Sequence, residues 1–186
     1  LIIILAILIF VSGCGKGTSV GKYEDGAATV SVDPRIELIT IIENIAEIGS
    51  PRPLPFSYKD DVLDHFGEYK SHPAVKLFEE YYLDGFNYAK PMYFILCCNY
   101  NEGLLSLNEE LYSKEPDGVF FKDKNEMNDF INQLNDFISV SKFDKFFNSN
   151  KDTYAKYISN YEENVNVVDV KKDLEEYYGT ELKSYN

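Results

Sequence analysis

Apolar residues recur along this chain at three- and four-residue intervals, the spacing of one face of a helix. Leu38, Ile41, Ile42, Ile45 and Ile48 form the first stripe, widened by Ile36, Ile39 and Ala46. Asp33, a favoured N-cap, and Pro34, preorganised for the first helical position, precede it, and Gly49 is expected to stop it. A helix apolar on so many sides is expected to be the central helix of its domain. Val62, Leu63 and Phe66 place a short helix over 58–66, and 67–71 reads as a turn. Val75, Leu77, Phe78, Tyr81, Tyr82 and Phe86 place another, starting at Pro73. Residues 89–98 are strongly apolar and fit strand or helix by length; Pro91 near the start favours helix. The helical period returns from Lys124 with Met127, Phe130, Ile131, Leu134, Phe137 and Ile138. A break near Ser141 separates these from Phe143, Phe146 and Phe147. Tyr154, Tyr157, Ile158 and Tyr161 mark a further helix, and Val167, Val170, Leu174, Tyr177 and Tyr178 another, stopped by Gly179.

Alternation of period two appears over 27–32, where β-branched residues predict a short strand. A lone strand leaves backbone groups unpaired, so its partner is expected in 99–123 or beyond Asn186. Ser50–Phe56 holds three prolines and reads as an extended connection. The fold class expected is mainly α, or α+β if completed by further chain: a multi-helix domain with one short N-terminal strand.

The start of the chain has a different character. Leu1 to Val11 is unbroken apolar sequence, shorter than the roughly 20 residues that span a bilayer. It fits the core of an export signal ending in small residues. Val11-Ser12-Gly13-Cys14 resembles a bacterial lipobox, which implies lipid on Cys14 and an exported chain anchored to the bacterial cell membrane. The expected organisation is a signal over 1–13 lacking its basic start, a lipidated Cys14 with a flexible tether to residue 26, and a helical domain over 27–186. A rival reading sees a phosphate loop in Gly13-Cys14-Gly15-Lys16-Gly17-Thr18, as in a nucleotide kinase. Phe10 stands where that pattern needs Gly, and the following residues are not helix-like.

Net charge is −13, which disfavours nucleic acid and anionic lipid surfaces as direct partners. Phe and Tyr are abundant, so a core can be built without Trp. Cys97 and Cys98 are neighbours, a spacing that rarely meets disulfide geometry, and read as small buried apolar residues.

The candidate chemistry is sparse. His65 and His72 are the two histidines, with Glu68 between them. His65, Glu68 and His72 form a polar cluster worth testing as a metal site. Gly67 and Pro73 argue against one continuous helix through it, and His72 before Pro73 reads better as a capping residue. The paired acids Glu79-Glu80, Glu109-Glu110, Glu162-Glu163 and Glu175-Glu176 read as solvated faces. Tyr154, Tyr157 and Tyr161 read as core with hydroxyls at the rim.

Three segments together carry a resemblance: the run from Val32 through Asp33-Pro34-Arg35 to Ile48, residues 61–80 with His72-Pro73, and the apolar stretch Tyr88 to Leu96. They resemble the N-terminal half of a family of exported bacterial proteins catalogued as a domain of unknown function. Its full-length members look like HExxH zinc peptidases. The resemblance implies that this chain is the non-catalytic half and that a zinc-bearing C-terminal half is its partner. Zinc is expected only there. No catalytic residue transfers, because no HExxH occurs here. The alternative is a self-standing, non-enzymatic envelope lipoprotein for binding or scaffolding.

Overall fold

The computed structural model describes residues 30–48, 57–116, 118–164 and 167–180. Within them the chain is mainly helical with one small two-stranded sheet. The elements run α1 (Pro34–Ala46), α2 (Ser57–Phe66), a 3-10 helix (Gly67–Ser71), α3 (Pro73–Leu83), α4 (Lys90–Leu96), β1 (Cys98–Asn101) and β2 (Leu104–Leu107). They continue with α5 (Glu109–Tyr112), α6 (Lys124–Ser141), α7 (Phe143–Ser149), α8 (Lys151–Asn164) and α9 (Val167–Tyr178).

α1 starts as its sequence predicts. The Asp33 carboxylate accepts the Arg35 N–H at 2.8 Å, and Pro34 occupies the first turn. Leu38, Ile39, Ile41, Ile42, Ile45 and Ala46 are buried, and α1 packs against α2, α3, α4, the 3-10 helix and β1. It is the central helix. It ends at Ala46 rather than at Gly49, because Glu47 takes a left-handed conformation (φ 56°) and its N–H turns back to the Asn44 carbonyl. Gly49 and the proline-rich connection 50–56 lie outside the described residues.

The strand expected over 27–32 is not seen where it can be checked. Residues 27–29 lie outside the described residues, and 30–32 belong to no strand. The sheet lies instead over residues 98–107, where β1 and β2 pair with each other. β1 and β2 pair antiparallel, with Tyr100 opposite Leu105 and Asn101 opposite Leu104. Glu102 and Gly103 both have positive φ (51° and 80°), the two-residue turn whose twist matches that of its strands. Leu105 turns its N–H and C=O away from β1. Asn135 of α6 meets both: its side-chain oxygen accepts the Leu105 N–H at 2.7 Å, and its NH2 donates to the Leu105 carbonyl at 3.0 Å. One amide thus closes the inner edge of the hairpin, where a third strand would otherwise be required.

α6 is the second long support. Asp123 caps it by accepting the N–H groups of Asn125 and Glu126, and Glu126 reaches back to the Lys122 N–H. Its buried face is Met127, Phe130, Ile131, Leu134, Phe137 and Ile138, the stripe read from the sequence. Lys142, left-handed at φ 58°, makes the expected break and begins α7. Phe86 lies beyond the end of α3, in the connection to α4, yet is buried among Phe78, Phe94, Phe121 and Phe130. Five positions of the apolar stripes are exposed instead: Leu63, Tyr157, Tyr161, Tyr177 and Tyr178. α8 joins the core through Tyr154, whose ring packs on Phe147 and Tyr58. Among the described residues no helix is long and apolar enough to cross a membrane.

Candidate functional site

The tertiary structure gathers the chemistry-bearing residues at helix ends, in three places. The first joins the start of α1 to the end of α4. Arg35 holds Asp33 through Nε and Nη2, and its Nη1 donates to the carbonyls of Leu96 (3.1 Å) and Cys98 (2.7 Å). Two segments more than sixty positions apart are clamped by one planar guanidinium, a geometry that Lys cannot reproduce. The hydrogen bonds to Asp33 raise the Arg35 pKa against the opposing effect of burial. Cys97 and Cys98 are both buried free thiols at this junction. Burial pushes the Cys98 thiol up to about 12 and raises Cys97 as well, so neither is poised as a nucleophile or thiolate ligand.

The second is a chain of hydroxyls ending on a carboxylate. Tyr58 donates its single proton to Glu37 on α1, so the 2.6 Å contact between Tyr58 and Tyr154 has Tyr154 as donor. Burial is the main reason that the Glu37 pKa is raised, with the Tyr58 hydrogen bond opposing it. Both tyrosine hydroxyls are held well above their usual range, chiefly by burial. The consequence for stability has a definite sign. A carboxyl with a raised folded-state pKa contributes stability that is complete below the unfolded value and lost as pH rises through the folded one. Glu37→Gln keeps an oxygen for Tyr58 but does not ionise. The melting temperature of Glu37→Gln minus that of the parent is therefore expected to grow as pH rises above the ordinary carboxyl value of 4.5. Thermal melts of both proteins from acid to mildly alkaline buffer check this, and a gap that shrinks with pH would contradict it. Glu43, also raised by burial, is common to both proteins and cancels.

The third place holds the residues singled out as a metal candidate, and it separates them. His65 in the last turn of α2 donates from Nε2 to the Ser141 carbonyl at 2.9 Å, its ring against Phe66 and Phe146. His72 caps α3: Nδ1 accepts the Ala74 N–H at 3.1 Å, which leaves the proton on Nε2 to bond Asp136 of α6 at 3.0 Å. Glu68 is exposed on the 3-10 helix. Among the described residues no group of three or more His, Cys, Asp or Glu is arranged to hold a metal ion. These residues do not fit zinc: each imidazole already spends a nitrogen on another helix. A further pair went unread in the sequence. Tyr100 donates to Asp144 at 2.5 Å, and the Asp144 carboxylate sits against Gly103, where any side chain would collide with it. Spacing offers no signal for Asn135 or Asp144, since their partners lie on another element.

The order Asp33-Pro34-Arg35, His72-Pro73 and α4 is thus one connected framework. A family model described as "Domain of unknown function (DUF4932)" matches residues 28–186. The chain belongs to the DUF4932 family. No curated protein and no solved structure matches it. All three segments of the framework fall inside the DUF4932 domain, as do both histidines. Cys14 and the glycine-rich residues that follow precede the domain and lie outside the described residues, so the lipobox and the phosphate-loop pattern have no structural counterpart to compare.

Proposed function

We propose that this chain is an exported protein tethered to the bacterial membrane by lipid on Cys14. Its DUF4932 domain is read as a non-catalytic scaffold that forms one wall for a zinc-bearing segment of the peptidase-like kind. The observation that carries this reading is how the domain spends its polar side chains. His65, His72, Arg35, Glu37 and Asp144 each tie one element to another, so they act as framework rather than as reactive groups. The lipobox residues Val11 to Cys14 support the tether.

Purified chain incubated with casein, with added zinc or with chelator, is expected to show no turnover; zinc-dependent hydrolysis would overturn the scaffold reading. Cys14→Ala, expressed as the full chain, is expected to lose incorporation of labelled fatty acid and to leave the membrane fraction. Unchanged acylation would remove the tether from the proposal. A second reading, a self-standing envelope module for binding or scaffolding, is favoured by the closed core that runs from Leu38 of α1 to Tyr154 of α8. It requires one cooperative melt without binding of dyes that report apolar surface. Strong dye binding would favour a domain that waits for its other half.

A further inference from the structure

We infer that His72 is a proton-operated joint between the 3-10 helix and α3: the neutral ring caps α3, and the protonated ring releases that cap while keeping its bond to α6. The geometry admits one tautomer. Nδ1 accepts the Ala74 N–H at 3.1 Å, so the single ring proton stands on Nε2 and is donated to Asp136 at 3.0 Å. The Nδ1 lone pair is then the one place on the ring for a second proton. An imidazolium has two N–H donors and no acceptor. A proton on Nδ1 would point at the Ala74 N–H, donor against donor. Turning the ring over would put Cδ2 there and take Nε2 away from Asp136. Either way the cap is lost. Ser, Thr and Asn, which fill this position in most helices, cap without gaining charge near neutral pH.

The surroundings concentrate the effect at this joint. Ala74 is wholly buried, so its freed N–H would be left with neither water nor partner. His72 also carries the backbone of the joint: its N–H bonds the Tyr69 carbonyl at 2.8 Å, and its carbonyl accepts from Val75 and Lys76. Relief therefore comes from movement of residues 72–74, where the 3-10 helix passes into α3. Two fields act on the ring in opposite senses. The Asp136 carboxylate at Nε2 favours the charged ring, and the positive end of α3 at Nδ1 disfavours it. The other charged groups on the neighbouring elements are spent elsewhere or face water. Lys70 of the 3-10 helix pairs with Glu47, and Lys76 of α3 pairs with Glu79. The Tyr69 hydroxyl donates to the Val140 carbonyl, and Glu68 is exposed. On α1, Glu37 is bonded to Tyr58, and Glu43 is the remaining carboxyl.

NMR of the purified, isotope-labelled full chain between about pH 8 and 5 tests this. At the alkaline end the ring nitrogen shifts of His72 are expected to report the Nε2–H tautomer. As the ring gains its second proton, the protection factor of the Ala74 amide is expected to fall about tenfold, the size of effect for one hydrogen bond to a buried N–H. Protection factors already remove the intrinsic dependence of exchange on pH. In His72→Asn, which keeps a capping oxygen and gains no charge, Ala74 protection is expected to stay constant over the same range. His65 is present in both proteins, so its response cancels. An Nδ1–H tautomer, read on the parent alone, would overturn the inference. So would full protection of Ala74 beside a charged ring, or an equal loss of protection in His72→Asn. A loss at Ala74 matched at Ile42 in the middle of α1 would also overturn it, because unfolding would then be global instead of confined to the joint.

Discussion

Phe130→Ala is expected to lower the free energy of unfolding by about 3–5 kcal/mol, the range for truncating a fully buried aromatic residue. Phe130 of α6 is wholly buried, with ring centroids 5.7–6.1 Å from Tyr81, Phe86, Phe94 and Phe121. Those neighbours come from α3, the α3–α4 corner, α4 and the segment before α6. The cavity left by Ala would therefore be lined by four elements that are fixed elsewhere, and collapse around it is hindered. Phe130→Leu, which refills most of the space, should cost much less. Urea or guanidinium titration of the three proteins measures both losses. A small loss for Ala would show that the corner relaxes independently of α6.

The second large effect is polar. Asn135→Leu keeps approximate size but removes both hydrogen bonds to Leu105, whose residue is 2% exposed. An unpaired buried N–H or C=O costs about 1–3 kcal/mol each, and partial access of water to the freed groups brings the expected total to about 2–4 kcal/mol. Hydrogen exchange gives a specific readout. The Leu105 amide should lose protection in Asn135→Leu, while amides in the middle of α1 keep theirs in proportion to global stability. Unchanged protection at Leu105 would mean that α6 does not close the hairpin edge.

The helices were largely legible before any tertiary information. Periodicity placed α1, α3 and α6, and local chemistry marked their starts: Asp33 with Pro34, and His72 with Pro73. The break at Lys142 was visible because the apolar stripe of α6 loses register there. Cap and stripe are local properties, decided within one or two turns of chain, so they survive being read one segment at a time. The hairpin was not legible. Its strands, CNYN and LLSL, carry too little alternation to stand out, and Cys98 was absorbed into the apolar stretch before it. Its turn residue Gly103 takes a positive φ that the residues around it do not announce. At 30–32 the expectation fails for the opposite cause: alternation is present, but nothing among the described residues pairs with them.

The candidate site divides in the same way. Sequence alone determined the helical class, the central place of α1, the capping role of His72 and the burial of the cysteine pair, because each follows from the residue and its near neighbours. Only the tertiary structure decided that Arg35 clamps the end of α4, that Asn135 serves as the missing strand edge, and that Tyr154, Tyr58 and Glu37 share their protons in one chain. It also decided that His65 and His72 bond to different partners on α6 instead of converging. These are contacts between residues 21 to 96 positions apart, with geometry set by how the elements pack. No spacing along the chain encodes a crossing, since the energy that selects it is released only when both faces are buried together.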